Sequence, residues 1–259
     1  MPQLIHFGCS FAVGNSIPHF IPGLPGDVAP HIHRKTFPNR QKIFKEYNFN
    51  HKEPITCGKY LADKLNLQYK RIAQNGASNE MIFRKLLETE LNDSFVLIGL
   101  TSSNRQEGLT TKQRNTHWHT WKMIGLNQEP KHKDLVFSPW GIEYVPAIAE
   151  EMQIRTVMQI IYMQNYLKNN NIPYLMFNAL SNGFDKPLTD ECNDLLKQVD
   201  ERHYYNLKGD FDNCQHGWCV KEELSVSEND DHPNIQGHKQ WGLKLLPIAQ
   251  EILSKYNAG

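Results

Sequence analysis

Four short stretches of this 259-residue chain hold residue types that can carry out acyl transfer. The first is Gly8-Cys9-Ser10-Phe11, after the apolar run Leu4–Phe7, where a small residue permits a sharp turn and leaves a hydroxyl at the end of a strand. The second is Asn75-Gly76-Ala77-Ser78-Asn79, a strand-to-helix junction where a glycine can point its backbone N–H into a crevice. The third runs from Gly99-Leu100-Thr101-Ser102 to Asn104 and Arg105, and the fourth is Asp230-Asp231-His232-Pro233-Asn234, just before a terminal helix. A serine hydroxyl is a weak nucleophile until a base takes its proton, and an imidazole oriented by a carboxylate is the common base. The first stretch offers a serine and the fourth a histidine beside aspartates, far apart in sequence.

Other clusters are read more plainly. His31 with His33, and His117-Trp118-His119, each lack a third metal ligand at a recognisable spacing, and Cys214, His216 and Cys219 lack a matching second pair. No metal is expected, and the cysteines read as structural. Cys9 is the alternative nucleophile, disfavoured because an apolar setting keeps a thiol protonated. Arg105 and Glu107 either touch substrate or pair with each other at a rim. Trp118, Trp121 and Trp140 can stack on a sugar ring, but pinning a loop to the core is the preferred reading.

The elements that must position these residues follow from periodicity. Leu4–Phe7 reads as a buried strand, Gln68 to Ala73 as a second, Phe95 to Leu100 as the clearest buried strand, and Pro173 to Asn178 as a fourth. Ile55 to Leu65, Asn79 to Leu91, Tyr144 to Leu167, Asp190 to His203 with Thr189 as N-cap, and Gln236 to Tyr256 read as helices. Strands alternating with helices imply an α/β fold, a three-layer α/β/α sandwich around a mainly parallel sheet. In such sheets the working groups gather beyond the carboxyl ends of the strands. Asn15 to Asn50 and Thr110 to Pro139 read as long irregular insertions (near 15–50 and 110–140) in one domain spanning 1–259.

With 28 basic and 28 acidic side chains, the chain has no net field to draw it to nucleic acid or an anionic membrane. A small or neutral substrate fits better than a polyanion. No stretch reaches the roughly 18 apolar residues of a membrane helix, and the start lacks a basic segment followed by an apolar run. Five scattered cysteines argue for reduced thiols. The expectation is a soluble cytoplasmic protein without its own signal.

In their order along the chain, Phe7-Gly8-Cys9-Ser10-Phe11, Gly76, Gly99-Leu100-Thr101-Ser102 and Asp230-Asp231-His232-Pro233-Asn234-Ile235-Gln236-Gly237-His238 resemble the blocks of the SGNH (GDSL-like) hydrolases. The chain is also similar to SGNH-like proteins of bacteriophages, which implies glycan modification and, for a phage protein, a host cytoplasm. The resemblance implies a flavodoxin-like α/β fold with no cofactor. It makes Ser10 the nucleophile, His232 the base, and Asp230 rather than Asp231 the acid, since an adjacent residue can hardly curl back to the same ring. Asp231 then reads as a solvated loop charge.

The resemblance further implies an oxyanion hole from the Ser10 N–H, Gly76 and a third donor. The family's asparagine falls on Thr101, so Thr101 through its hydroxyl or Asn104 from further along the loop takes that part. The family's Gly-Asp-Ser is Gly-Cys-Ser here. Asn79 and Arg105 are candidate substrate contacts. The implied activity is a serine esterase, with a carbohydrate O-deacetylase as its concrete form and a small-molecule or carbohydrate ester as substrate. An O-acyltransferase with the same triad and an inactive SGNH-fold binding protein are the alternatives.

Overall fold

The computed structural model describes residues 2–14, 56–103, 105–112, 115–122, 146–227 and 230–257, without the side chains of 106–112, 115–122, 146–149, 227, 230 and 257. The insertion expected near 15–50 and the stretch 123–145 lie outside these residues.

Five strands form one wholly parallel sheet: β1 (Gln3–Gly8), β2 (Gln68–Ala73), β3 (Ser94–Leu100), β6 (Tyr174–Asn178) and the two-residue β7 (Tyr204–Tyr205), in the order β2-β1-β3-β6-β7. The three inner strands are almost entirely buried, as strands covered on both faces must be. The edge strand β2 alternates exposed and half-buried residues over its first half, so one of its faces meets water there.

The connecting helices are α2 (Cys57–Lys64), α3 (Asn79–Leu87), α4 (Pro146–Asn169), α5 (Asp190–Leu196) and α7 (Ile235–Asn257). Thr56, Ser78 and Thr189 accept from the backbone N–H three residues on and so begin α2, α3 and α5. Asn234 caps α7 in the same way, accepting from Gly237 N–H at 2.9 Å, while its Nδ2 donates to Ser225 O. α2 packs on α7, and α4 packs on both α3 and α5. Strands alternating with helices around a parallel sheet give the α/β architecture expected from the sequence.

α2 sits against β1 through Gly58. A Cβ there would lie 2.7 Å from His6 Cγ and 3.0 Å from His6 Cβ, and closer still to Nδ1. His6 is buried between Tyr69 and Phe177 and has little room to yield. Gly58→Ala gains under about 1 kcal/mol of helix propensity but overpacks this contact by about 1–3 kcal/mol. The clash wins, and thermal melts are expected to show the variant unfolding roughly 4–8 °C lower. A Tm at or above wild type would mean that α2 can shift off the sheet.

Two elements depart from the sequence reading. The stretch expected to be irregular after β3 begins as an antiparallel hairpin, β4 (Arg105–Lys112) and β5 (Asn115–Lys122), paired without interruption from Arg105↔Lys122 to Lys112↔Asn115. The helix expected from Asp190 to His203 stops at Leu196, and a 3-10 turn follows at Glu201–His203. Between β7 and α7 the chain adds the short helix α6 (Gln215–Lys221) and a second antiparallel pair, β8 (Ser225–Ser227) with β9 (Asp230–Pro233).

Candidate active site

Ser10 is the first residue of α1 (Ser10–Val13), a single turn that begins one residue beyond β1. The turn closes because Val13 N–H reaches Cys9 O and Gly14 takes the left-handed conformation, φ 67°, as its C-cap. Gly8 makes the bend possible: a Cβ there would meet Ala12 Cβ at 2.7 Å and Gly99 O at 3.2 Å. Ser10 stands at the carboxyl end of a central strand and keeps a 7 % exposure.

His232 lies on β9, 222 residues away in sequence, and its Nε2 is 2.9 Å from Ser10 Oγ. That distance is within hydrogen-bond reach, the geometry a general base needs before attack. The His232 ring also packs on Phe11, centroid to centroid 5.0 Å.

The Gly76 turn docks on the same strand end, since Gln74 N–H donates to Gly8 O at 3.2 Å and Ala77 N–H returns to Gln74 O. Gly76 has φ +75°, where a side chain would be strained, and a Cβ built on it meets nothing within 4 Å, so the turn borders open space. Beside it, Gly8, Ala73, Gln74, Ala77, Met81 and their neighbours line a cleft of about 70 Å³.

The third stretch is arranged differently from the expectation. Asn79, a candidate substrate contact, is buried, donating to Thr101 O at 3.0 Å and accepting from Thr101 N–H at 2.9 Å. Its amide clamps the exit of β3 to the start of α3 and so holds Thr101 in place. Thr101 has its backbone N–H and C=O in that clamp, and its buried hydroxyl has no hydrogen-bond partner among the described residues. Arg105 opens β4, its N–H donating to Ser102 O. Asn104 and the side chains of Glu107, His117, Trp118, His119 and Trp121 lie outside the described residues, as do His31, His33 and Trp140.

Asp230 is on β9 with its side chain outside the described residues; Asp231 is exposed, as expected of a solvated charge, and has one hydrogen-bond partner. His216 Nε2–H donates to Asp231 Oδ2 at 2.6 Å. That bond, followed by the positive charge of His216 and that of His232, holds the Asp231 carboxyl below the usual carboxylate range against the opposing effect of partial burial. His216 was read with the cysteines as a weak metal signal; its packing against Phe11, centroids 5.7 Å apart, places it beside the site instead.

The cysteines are free and buried. Cys214 caps α6, its Sγ accepting from Gly217 N–H and donating to Phe211 O. Burial pushes the Cys57 thiol up to about 12. Among the described residues no three His, Cys, Asp or Glu side chains are grouped to hold a metal ion, and no helix is long and apolar enough to cross a membrane.

No family model and no curated protein matches the sequence. The chain is similar to solved structures of a carbohydrate esterase family 2 enzyme with a carbohydrate binding domain from Corynascus thermopiles (Myceliophthora fergusii), at 12% identity and TM-score 0.46, covering 98% of this chain and 67% of that one. It is similar to a lipase from a goat rumen metagenome, at 14% identity and TM-score 0.44, covering 96% and 97%. It is also similar to an acetyl xylan esterase from Butyrivibrio proteoclasticus, at 12% identity and TM-score 0.44, covering 98% and 64%. The chain thus spans about two thirds of the length of these two esterases. The serine thus lies directly after the first strand of a wholly parallel five-stranded sheet and the histidine directly before the last helix of an α/β fold.

Proposed function

We propose that the chain is a serine ester hydrolase that forms an acyl-enzyme on Ser10. The observation that carries this reading is the 2.9 Å contact between Ser10 Oγ and His232 Nε2 at the carboxyl end of the sheet. Ser10 Oγ attacks the ester carbonyl as its proton passes to His232 Nε2; the tetrahedral adduct collapses, and the alcohol leaves with that proton. Water then adds to the acyl-enzyme with His232 again as base, releasing the acid and free Ser10.

The charge that develops on the carbonyl oxygen needs donors already aimed at it. The Ser10 N–H, at the start of α1 where a helix has no internal acceptor, and the Gly76 N–H in its turn at the open side are the two proposed donors. The third is the Thr101 hydroxyl or Asn104. Thr101 N–H is taken by Asn79, which leaves its hydroxyl as the donor that residue can offer. The proposed substrate is a small-molecule or carbohydrate ester, in concrete form an O-acetylated carbohydrate.

The test is to quench the protein during turnover of p-nitrophenyl acetate and digest it for mass spectrometry. One added acetyl group on the peptide containing Ser10, absent when Ser10 is replaced by alanine, is the expected result. Turnover with the label on another residue, or with no covalent label under rapid quench, would contradict it.

A further inference from the structure

α1, the turn that carries Ser10, is too short to hold itself. A helix of four residues closes a single turn, and its last carbonyls find no donor within it. Cys9 O takes Val13 N–H, and the Gly14 N–H that caps the turn reaches Phe11 O and Ser10 O. The last carbonyl, Val13 O, is reached from another element: Arg71 Nη1 on β2 donates to it at 2.5 Å. The turn has no basic residue of its own, so Arg71, 58 residues along the chain, brings a cation to its carboxyl end.

β2 is an edge strand that pairs with β1 alone, and it runs directly into the turn of Gly76. Two bonds join it to the segment around Ser10. Gln74 N–H holds Gly8 O just before the nucleophile, and Arg71 holds Val13 O at the far end of α1. Ser10 lies between these two points. Arg71 is half-buried, and its register partner in the sheet is His6 of β1, so the guanidinium reaches α1 from a fixed strand position.

On the reading that Ser10 is the nucleophile, we infer that Arg71 is a positioning residue: its bond to Val13 O clamps α1 to β2 and so fixes Ser10 Oγ relative to the Gly76 N–H. Arg71 acts through geometry, touching neither the ester nor the base. Without the clamp α1 keeps its internal bonds to Cys9 and Phe11 but loses the outer one, and Ser10 and Gly76 move independently. A misplacement of about 1 Å can cost about 10²-fold in rate. Such a loss falls on kcat, because a small ester still binds.

The experiment compares the wild type with Arg71→Met, which keeps an aliphatic stem but donates nothing, and Arg71→Lys, which keeps a charged N–H donor, each confirmed folded by circular dichroism. Two quantities are measured: NMR amide exchange at Val13 and Gly14, whose N–H groups close α1, and kcat and KM for p-nitrophenyl acetate. In Arg71→Met the two amides are expected to exchange about tenfold faster or more, with those of β3 changed far less. Its kcat should fall about 30–100-fold, with KM within about twofold of wild type. Arg71→Lys should lie closer to wild type in both readouts. A general loss of stability would instead speed exchange in β3 as well. The inference is overturned by a kcat in Arg71→Met within about threefold of wild type, by a loss carried by KM, by lysine serving no better than methionine, or by exchange at Val13 and Gly14 that rises no more than in β3. The exchange measurement needs no turnover. A wild type that cleaves no ester, with the two amides still released in Arg71→Met, would count against the esterase reading and uphold the clamp.

Discussion

Ser10→Ala is expected to lower kcat for p-nitrophenyl acetate by about 10⁴-fold or more, with the protein as stable as the wild type. The size follows from the chemistry: without Oγ there is no acyl-enzyme, and whatever rate remains must come from water and the donors of the oxyanion hole. The fold should survive because Ser10 opens α1 without capping it and the turn closes through backbone groups of Cys9, Phe11 and Val13. His232→Ala should cost a similar factor. The double variant should be no slower than the worse single one, since the two residues act as a unit. If Ser10→Ala kept activity within tenfold of wild type, the nucleophile would have to be sought elsewhere. Cys9, next in the chain but fully buried, would be the first to replace.

The parts of this site that could be read from the sequence are those fixed by neighbours in the chain. An apolar run ending at Gly8 marks a strand and a bend, and Asn234 three residues before Gly237 marks a helix start; both are local signals, and both describe the structure. The pairing of Ser10 with His232 is not local and followed from the resemblance, not from spacing. The choice between Asp230 and Asp231 likewise followed from the resemblance. The irregular pairing of β8 with β9 around these residues belongs to the pair and not to either strand alone, so no sequence signal carries it.

α6 escaped notice because it has only seven residues with a glycine in the middle. Gly217 is there because a Cβ would strike the backbone of Phe211, a contact made by chain crossing and invisible in composition. The β4–β5 hairpin did carry a signal, since Thr116-His117-Trp118-His119-Thr120-Trp121 is rich in β-branched and aromatic types. It was passed over because its polar residues show no single apolar face. Asn79 shows the converse error, in which a polar residue at the right loop is assigned to substrate although the backbone of Thr101 uses both ends of its amide.

The second large effect expected is a loss of stability in mild acid, well before ordinary carboxylates titrate. His6 and His238 lie buried between the sheet, α2 and α7, and burial pulls each down to about 3, assisted for His6 by the charges of His238 and Arg71 and for His238 by that of His232. The hydrogen bonds agree with neutral rings. His238 Nδ1 accepts from Cys57 N–H at 3.2 Å and lies 3.3 Å from Gln215 Nε2, so a proton on that nitrogen would face a donor. His6 has Tyr69 Oη 3.3 Å from Nδ1 and no partner on Nε2 among the described residues.

Above pH 6.5 both histidines are neutral whether the chain is folded or not, and they make no difference. Below it the unfolded chain takes up two protons that the folded one refuses until about pH 3, so stability falls as pH falls across that window. Each contributes about 1.4 kcal/mol per pH unit, giving about 4 kcal/mol at pH 5, or roughly 8–16 °C in Tm. Surface ion pairs such as Lys59–Asp63 and Arg84–Glu88 add little to this, being exposed and screened. Melts recorded at pH 7.5, 6 and 5 in buffers of equal ionic strength measure the slope. His238→Asn, whose Oδ1 can take the place of Nδ1 as acceptor for Cys57 N–H, should halve it. A Tm that stayed level between pH 7.5 and 5 would mean that the core admits protons at these rings, and that α2 opens far more readily than its packing on His6 implies.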